Sequence, residues 1–153
     1  MSSAKPLLEE QAYMQQRVEN QLKWFEEKSA WNQDRYKRLR MIAITFSALI
    51  PLLVGFIQEN TMLLKILAGL AGVAIAIAEG WLSLYKYQEN WIQYRATAEA
   101  LKRETFLYKT GAAEYRNEKA PYPLFVERIE AIIKGDTQNW QQYISKNDSP
   151  TAA

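Results

Sequence analysis

The sequence has no cysteine and no histidine among its 153 residues. Without cysteine there is no disulfide bond, no thiolate nucleophile and no cysteine-ligated metal site. Without histidine, the side chain that most often serves as a general base or a zinc ligand is missing. We therefore expect no enzymatic activity and no cofactor. A formal net charge of +2 gives no reason to expect a nucleic-acid partner.

Glycine and proline are absent from Leu7 to Ile50. Within this stretch a stripe of mostly apolar residues recurs at spacings of three and four, which predicts one cytoplasmic helix over residues 9–40. The helix leads directly into an apolar segment. The positions of the stripe are Val18, Leu22, Phe25, Ser29, Asn32, Tyr36 and Leu39.

Charged residues are missing from two central segments, Met41–Ile57 and Ile66–Ala78. A helix that crosses a bilayer needs about 20 residues, with a range of about 17 to 25. The sequence therefore predicts transmembrane helices over residues 41–57 and 62–85, joined by a short extracytoplasmic loop at 58–61. The fold class is all-α: an integral membrane hairpin that continues into a cytoplasmic helical bundle.

A soluble helical bundle with an apolar central hairpin is the alternative. Soluble helices usually carry a polar stripe, and the first segment offers only Thr45 and Ser47. A signal peptide does not fit, because the apolar run begins only at residue 41 and follows a long charged stretch.

Basic residues crowd one side of the predicted hairpin. Four of them precede the first span between Arg35 and Arg40, and Lys86 follows the second, whereas the loop side has only Lys65. Basic residues accumulate on the cytoplasmic side of membrane proteins. Both termini are therefore expected in the cytoplasm.

A heptad-like pattern follows the second span and predicts that this span continues without a break into a helical extension over residues 86–109. Its seam must be buried, either against the N-terminal helix of the same chain, with the last helix joining, or against a partner subunit. The large aromatic side chains favour a thick bundle over a two-stranded coil. The main seam residues are Trp91, Tyr94, Ala98, Leu101 and Tyr108.

The last third of the chain begins with a connector that contains Pro121 and Pro123. A C-terminal cytoplasmic helix is predicted over residues 123–144, interrupted at Gly135 and Asp136. The tail 145–153 is expected to be disordered.

Three stretches occur in order around the hairpin: LKWFEEKSAWNQDRYKRLRMIAI, YRATAEALKRETFLY and FVERIEAIIKGDTQNW. They resemble the SLATT-like family of bacterial two-transmembrane proteins, including domain of unknown function 4231. The most specific part is the W…YR…AE.LK.E pattern across Trp91 to Glu104. The resemblance implies a pore-forming effector of the bacterial cytoplasmic (inner) membrane, with no catalytic motif.

Small residues form a face on each span. These faces could contact each other within one hairpin, or they could form contacts between subunits, and the sequence leaves both alternatives open. On the second span the face also carries Glu79 and Ser83. The packing positions are Gly69, Gly72 and Ala76 on the second span and Pro51 and Gly55 on the first.

Glu79 is the one acidic residue within the second span. Residues equidistant from the centre of the 58–61 loop lie at similar depth, and Arg40 is the depth partner of Glu79. An ion pair between them is one interpretation. A ring of Glu79 carboxylates at the mouth of an oligomeric pore is another, and a proton relay is a third.

Two spans cannot enclose an aqueous path, so transport requires a homo-oligomer. The resulting hypothesis is an oligomeric, cation-preferring ion channel or pore gated through its cytoplasmic helices. Its partners would be the lipid bilayer, other copies of the chain and inorganic cations. Thr45 and Ser47 are further pore-lining candidates. The alternative is a non-conducting membrane scaffold whose helical stalk binds a cytoplasmic protein.

Overall fold

The computed structural model describes residues 9–57 and 61–147, with side chains described as far as residue 135. This part of the chain is helical and contains no strand, as the sequence predicts. In chain order the elements are α1 (Glu10–Tyr13), a π-helical turn (Met14–Glu19), α2 (Asn20–Gly55), α3 (Met62–Tyr85), α4 (Tyr87–Thr110), a 3₁₀ turn (Ala113–Arg116) and α5 (Pro121–Asn147).

The chain divides into two compact units. The bundle unit comprises Met1–Lys28 and Gln93–Ala153, and the hairpin unit comprises Ser29–Ile92. Helices α2 and α4 each contribute residues to both units, because the divisions fall within them.

The core of the bundle unit is built from three helical segments. Val18 and Phe25 come from the N-terminal segment, Ala98 and Leu101 from α4, and Phe125 with its neighbours from α5. Each of these side chains is at most 2% exposed. The heptad-like seam of α4 is therefore covered by its own chain, and the last helix takes part in the packing.

The hairpin unit is sparsely packed. Ala43 on α2 and Ala71 and Ala78 on α3 are buried, whereas most large apolar side chains of both helices are exposed. The spacing of seven residues between the two alanines of α3 corresponds to two helical turns on one face. We infer that these alanines mark the faces on which the two helices meet.

The predicted continuation of the second span is broken at Lys86. This residue has φ 47° and ψ 41°, a left-handed conformation that separates α3 from α4. The Asn90 side chain donates a hydrogen bond to the carbonyl of Tyr85 at 3.1 Å, and the rings of Tyr85 and Tyr87 stack with centroids 5.5 Å apart. A heptad pattern reports which side chains share a face, and it does not detect a one-residue reversal of φ.

Three smaller expectations also differ from the structure. A π-helical turn interrupts the predicted N-terminal helix at Met14–Glu19. Helix α5 begins at Pro121 and runs through Gly135 without the predicted interruption. It also includes residues 145–147, where disorder is expected; the remaining tail, 148–153, lies outside the described residues, as do residues 58–60 of the predicted loop.

Candidate functional site

Two helical stretches, one ending at Gly55 and one beginning at Met62, are long and apolar enough to cross a membrane by length and composition. Only 6% and 11% of their most apolar windows are buried within the chain. The core helix of a soluble protein is mostly buried. These helices therefore carry apolar surface that this chain leaves uncovered.

Arg40 and Glu79 lie together in the hairpin unit. Nη1 of Arg40 donates a hydrogen bond to Oε1 of Glu79 at 2.8 Å. About half of each side chain is exposed, 50% for Arg40 and 46% for Glu79. A charge-assisted hydrogen bond of this length satisfies one acceptor of the carboxylate and leaves the pair open to its surroundings.

Glu79 belongs to a line of mostly small residues on α3, which we call the small face: Gly69, Gly72, Ala76, Glu79 and Ser83. A Cβ atom added at Gly69 or Gly72 would meet no atom within 4 Å. Four of the five residues are exposed and Gly72 is half-buried. The small face is therefore distinct from the face that carries Ala71 and Ala78. Its Glu79 contacts Arg40 within the hairpin, whereas the space beside its glycines is open.

The candidate residues of the first span are also uncovered. Thr45, Ser47, Pro51 and Gly55 are exposed, and the space around Gly55 is open. Pro51 lies inside α2 and has no N–H to donate to the carbonyl four residues earlier, at Ser47. These four residues are therefore open to their surroundings in the part of the chain that the structure describes.

An aromatic and basic cluster lies on the hairpin unit near the α3–α4 break. The Arg35 guanidinium lies over the Trp31 ring at 5.3 Å, and the Trp31 and Tyr87 rings meet edge to face at 5.8 Å. Trp91 is half-buried, and its carbonyl accepts a hydrogen bond from the buried Ser29 hydroxyl at 3.0 Å. Aromatic and basic side chains of this kind are typical of the boundary between a bilayer and water.

The remaining seam residues lie in the core of the bundle unit or pack against it. Ala98 and Leu101 are fully buried, and Tyr94 and Tyr108 pack against the same core. Arg95 and Glu99 form an ion pair at 2.9 Å on the exposed side of α4. Within the described residues, no group of three acidic side chains could hold a metal ion.

Two polar networks in the bundle unit have no clear signal in the sequence. Glu104 is 8% exposed, accepts a hydrogen bond from the Tyr115 hydroxyl at 2.5 Å and faces Arg128, which also contacts Glu114. Burial, followed by the bond to Glu104, raises the pKa of Tyr115, so its hydroxyl remains a donor.

The second network joins the N-terminal helical segment to α5 within the bundle unit. Glu130 accepts two hydrogen bonds from Arg17 at 2.8 Å and one from Tyr13 at 3.0 Å. The bonds from Arg17 are the main cause of a lowered pKa for the Glu130 carboxyl. The partners are more than 110 residues apart in the sequence, and no local spacing predicts them.

Residues 20–122 match the sequence pattern of a family described as a protein of unknown function, DUF4231. The match covers more than half of the chain. The chain belongs to this family. No curated protein and no solved structure matches the chain.

The family match includes both apolar helical stretches, the α3–α4 break and half of the buried bundle core, namely Phe25, Ala98, Leu101 and Tyr115. The stretch FVERIEAIIKGDTQNW lies beyond its end at Tyr122. Of the W…YR…AE.LK.E pattern, Ala98, Leu101 and Glu104 are buried in the bundle unit. These residues of the pattern therefore belong to the packed interior of the bundle unit.

Proposed function

We propose that this protein is a homo-oligomeric pore of the bacterial cytoplasmic membrane, with both termini in the cytoplasm and a preference for cations. The proposal assigns no catalytic role to any residue. It extends the SLATT resemblance to this member of DUF4231.

The observation that carries the proposal is the small face of α3. Small residues allow helices in a membrane to approach closely, and a Cβ added at either glycine of this face would meet no atom within 4 Å. Large apolar residues such as Leu70 and Ile77 lie on a different side of the helix, where they suit contact with lipid. A second copy of the chain is the partner that best suits the small face.

The position of Glu79 on this face supports a cation preference. Oligomerisation through the small face would repeat the carboxylate around a central axis, close to the cytoplasmic end of the span. Acidic rings attract cations and raise their local concentration. Arg40 offsets this charge while the 2.8 Å ion pair is formed.

The left-handed residue Lys86 supports gating through the cytoplasmic helices. It connects the span directly to α4. Residues in a sparsely populated backbone conformation often occur where a protein changes shape. In this proposal, a change in φ and ψ at Lys86 would alter the direction in which α4 leaves α3.

The first test is the subunit number of the full chain in lipid nanodiscs, measured by native mass spectrometry. We expect a closed ring of roughly four or more subunits, since two-helix subunits must surround any lumen. Gly72→Leu should reduce this number, although a Cβ at this position meets no atom of the chain within 4 Å. Ile77→Phe is the matched control, because it adds bulk at an exposed position outside the small face.

The assembled protein is then reconstituted into liposomes for cation-flux measurements. Flux by the wild type and by Ile77→Phe, with little flux by Gly72→Leu, is the expected result. A monomer or dimer in nanodiscs, or a ring without flux, would contradict the pore.

A non-conducting membrane scaffold is the second candidate. The seam of α4 is occupied by its own chain, so a partner would have to bind elsewhere on the bundle unit. Phe106 and Trp24 are exposed there, at 67% and 43%. Exposed aromatic residues are enriched among the anchors of protein interfaces. This candidate predicts normal membrane insertion without flux.

A further inference from the structure

The bundle unit contains an open cavity of about 680 Å³. Its walls come from α1, the π-helical turn, the end of α4 and the chain that follows. The volume falls within the range of about 300–1,000 Å³ that is usual for small-molecule sites. The lining residues that bear on the choice of ligand are Glu10, Met14, Glu19, Tyr108, Lys109 and Tyr115.

The backbone is irregular on several sides of this cavity. Met14 and Glu19 bound the π-helical turn, and π-helical segments occur frequently at functional sites. Gly111 lines the cavity with φ 59°, and the nearby Ala113 has φ 53°. A left-handed alanine is unfavourable by about 1–2 kcal/mol and gains nothing from its own side chain. Irregular backbone of both kinds therefore coincides with one cavity.

The cavity is acidic and aromatic. Glu10 and Glu19 face one basic residue, Lys109, although the chain as a whole has a net charge of +2. Among the described residues, no ion pair within 4.0 Å joins Glu19 to Lys109. The acidic side chains give the site a preference for positive charge.

Tyr108 provides a rigid wall. Its ring stacks on Phe125 with centroids 4.3 Å apart and meets the edge of Tyr115 at 5.4 Å. Burial, together with a hydrogen bond to Glu10, raises the pKa of Tyr108 to about 12. The phenol therefore remains neutral, and because Phe125 covers one face of its ring, Tyr108 gives the cavity a rigid, uncharged wall.

An apolar recess of about 230 Å³ adjoins the cavity and shares Met14, Glu19 and Lys109 with it. Its other walls are formed by Val18, Leu22 and Phe106 together with Thr105 and Lys102, whose ammonium is paired with Glu26 at 2.5 Å. A ligand with a cationic head and an apolar body suits both parts of the site. Its head would lie beside the acidic residues of the cavity, and its body would lie in the recess.

We propose that the bundle unit binds a small organic ammonium ion carrying an apolar group. Glu19 and Glu10 neutralise the ammonium, Tyr108 forms a rigid wall beside it, and the apolar group enters the recess beside Phe106. This site lies wholly within the bundle unit, and binding there does not depend on whether the hairpin conducts ions.

The test is isothermal titration calorimetry of the full chain in nanodiscs of neutral phosphatidylcholine, with empty nanodiscs as the blank. Benzyltrimethylammonium is the probe. Tetramethylammonium tests the apolar group, and benzenesulfonate tests the sign of the charge. Glu19→Gln is the variant. Glu27→Gln is the matched control, since Glu27 is exposed on α2 and does not line the cavity.

Benzyltrimethylammonium is expected to bind the wild type and Glu27→Gln with equal affinity. Binding to Glu19→Gln should be about three- to fivefold weaker, as for the loss of one exposed charge pair. Tetramethylammonium should bind more weakly than the benzyl compound. The proposal is overturned by equal binding of benzenesulfonate, by unchanged affinity of Glu19→Gln, or by no heat beyond that of empty nanodiscs. Because the assay measures binding alone, its failure leaves the flux experiments unaffected.

Discussion

Arg40 and Glu79 lie 39 residues apart in the sequence, and Nη1 of Arg40 contacts Oε1 of Glu79 at 2.8 Å. The contact lies at the charged end of two otherwise apolar segments. It links the apolar segment of α2 to that of α3. Each residue therefore has a partner that neutralises its charge. Replacing either residue by an uncharged one leaves the charge of the other unpaired.

The first prediction concerns the energy of this pair. Arg40→Gln and Glu79→Gln should lower the thermal midpoint of the protein in detergent by similar amounts. The double variant should be no less stable than either single variant, because the interaction is lost only once. The coupling should be about 0.2–1 kcal/mol, since both side chains are half exposed. Strictly additive losses in this double-mutant cycle would show that the contact contributes nothing.

The second prediction concerns ion selectivity, and here the two variants should differ in sign. Arg40→Gln leaves the Glu79 carboxylate without its counter-ion and should increase cation preference. Glu79→Gln leaves Arg40 and should reduce cation preference. Reversal potentials in planar bilayers under a salt gradient measure both. Identical potentials for the wild type and both variants would place Glu79 away from the ion path.

The Arg40–Glu79 proximity could be anticipated because a short loop forces a hairpin to fold back at equal depth. The burial of Ala98 and Leu101 could be anticipated in the same way, since a helical repeat shows which positions share a face. Both inferences use local geometry. They required no knowledge of how distant segments pack.

The features that could not be anticipated depend on tertiary contacts or on single backbone angles. Lysine at position 86 carries no sign of a left-handed conformation, for which glycine or asparagine is usual. From the sequence, Glu130 is expected to be an exposed acid on an amphipathic helix. Its hydrogen bonds from Arg17 and Tyr13 form only when α5 packs against the N-terminal helical segment. The small face was visible in the sequence, but the open space beside its glycines required the structure.

The third prediction concerns the bundle core. Leu101 is fully buried, so Leu101→Ala should reduce the free energy of unfolding by about 2–5 kcal/mol through lost burial and a residual cavity. Phe106→Ala, five residues along the same helix, should cost far less because Phe106 is 67% exposed. Denaturant titrations in a mild detergent, followed by tryptophan fluorescence, compare the two. Equal losses would mean that the α4 seam is not the core of the unit.

The fourth prediction concerns acid sensitivity. The lowered pKa of Glu130 means that its ionised form is favoured in the folded state, chiefly by the hydrogen bonds from Arg17. Its contribution to stability is therefore present above the usual carboxyl pKa of about 4.5 and is lost as the pH falls through the lower folded value. Glu130→Gln should flatten this acid limb in a series of thermal midpoints measured from neutral pH downward. Glu127→Gln, at an exposed position of the same helix, should leave it unchanged.

The fifth prediction concerns the break between α3 and α4. Lys86 adopts φ 47°, where a side chain is unfavourable by about 1–2 kcal/mol and glycine is not. Lys86→Gly and Lys86→Asn should therefore match or exceed the wild-type thermal midpoint, even though the Lys86 side chain is lost. Lys86→Val should lower the midpoint, since a β-branched residue is strongly disfavoured at positive φ. Asn90→Ala should also lower it, because the Tyr85 carbonyl loses its hydrogen bond from the Asn90 side chain. If valine were tolerated as well as glycine, the left-handed turn at Lys86 would not be the conformation of the protein in its membrane-mimetic environment.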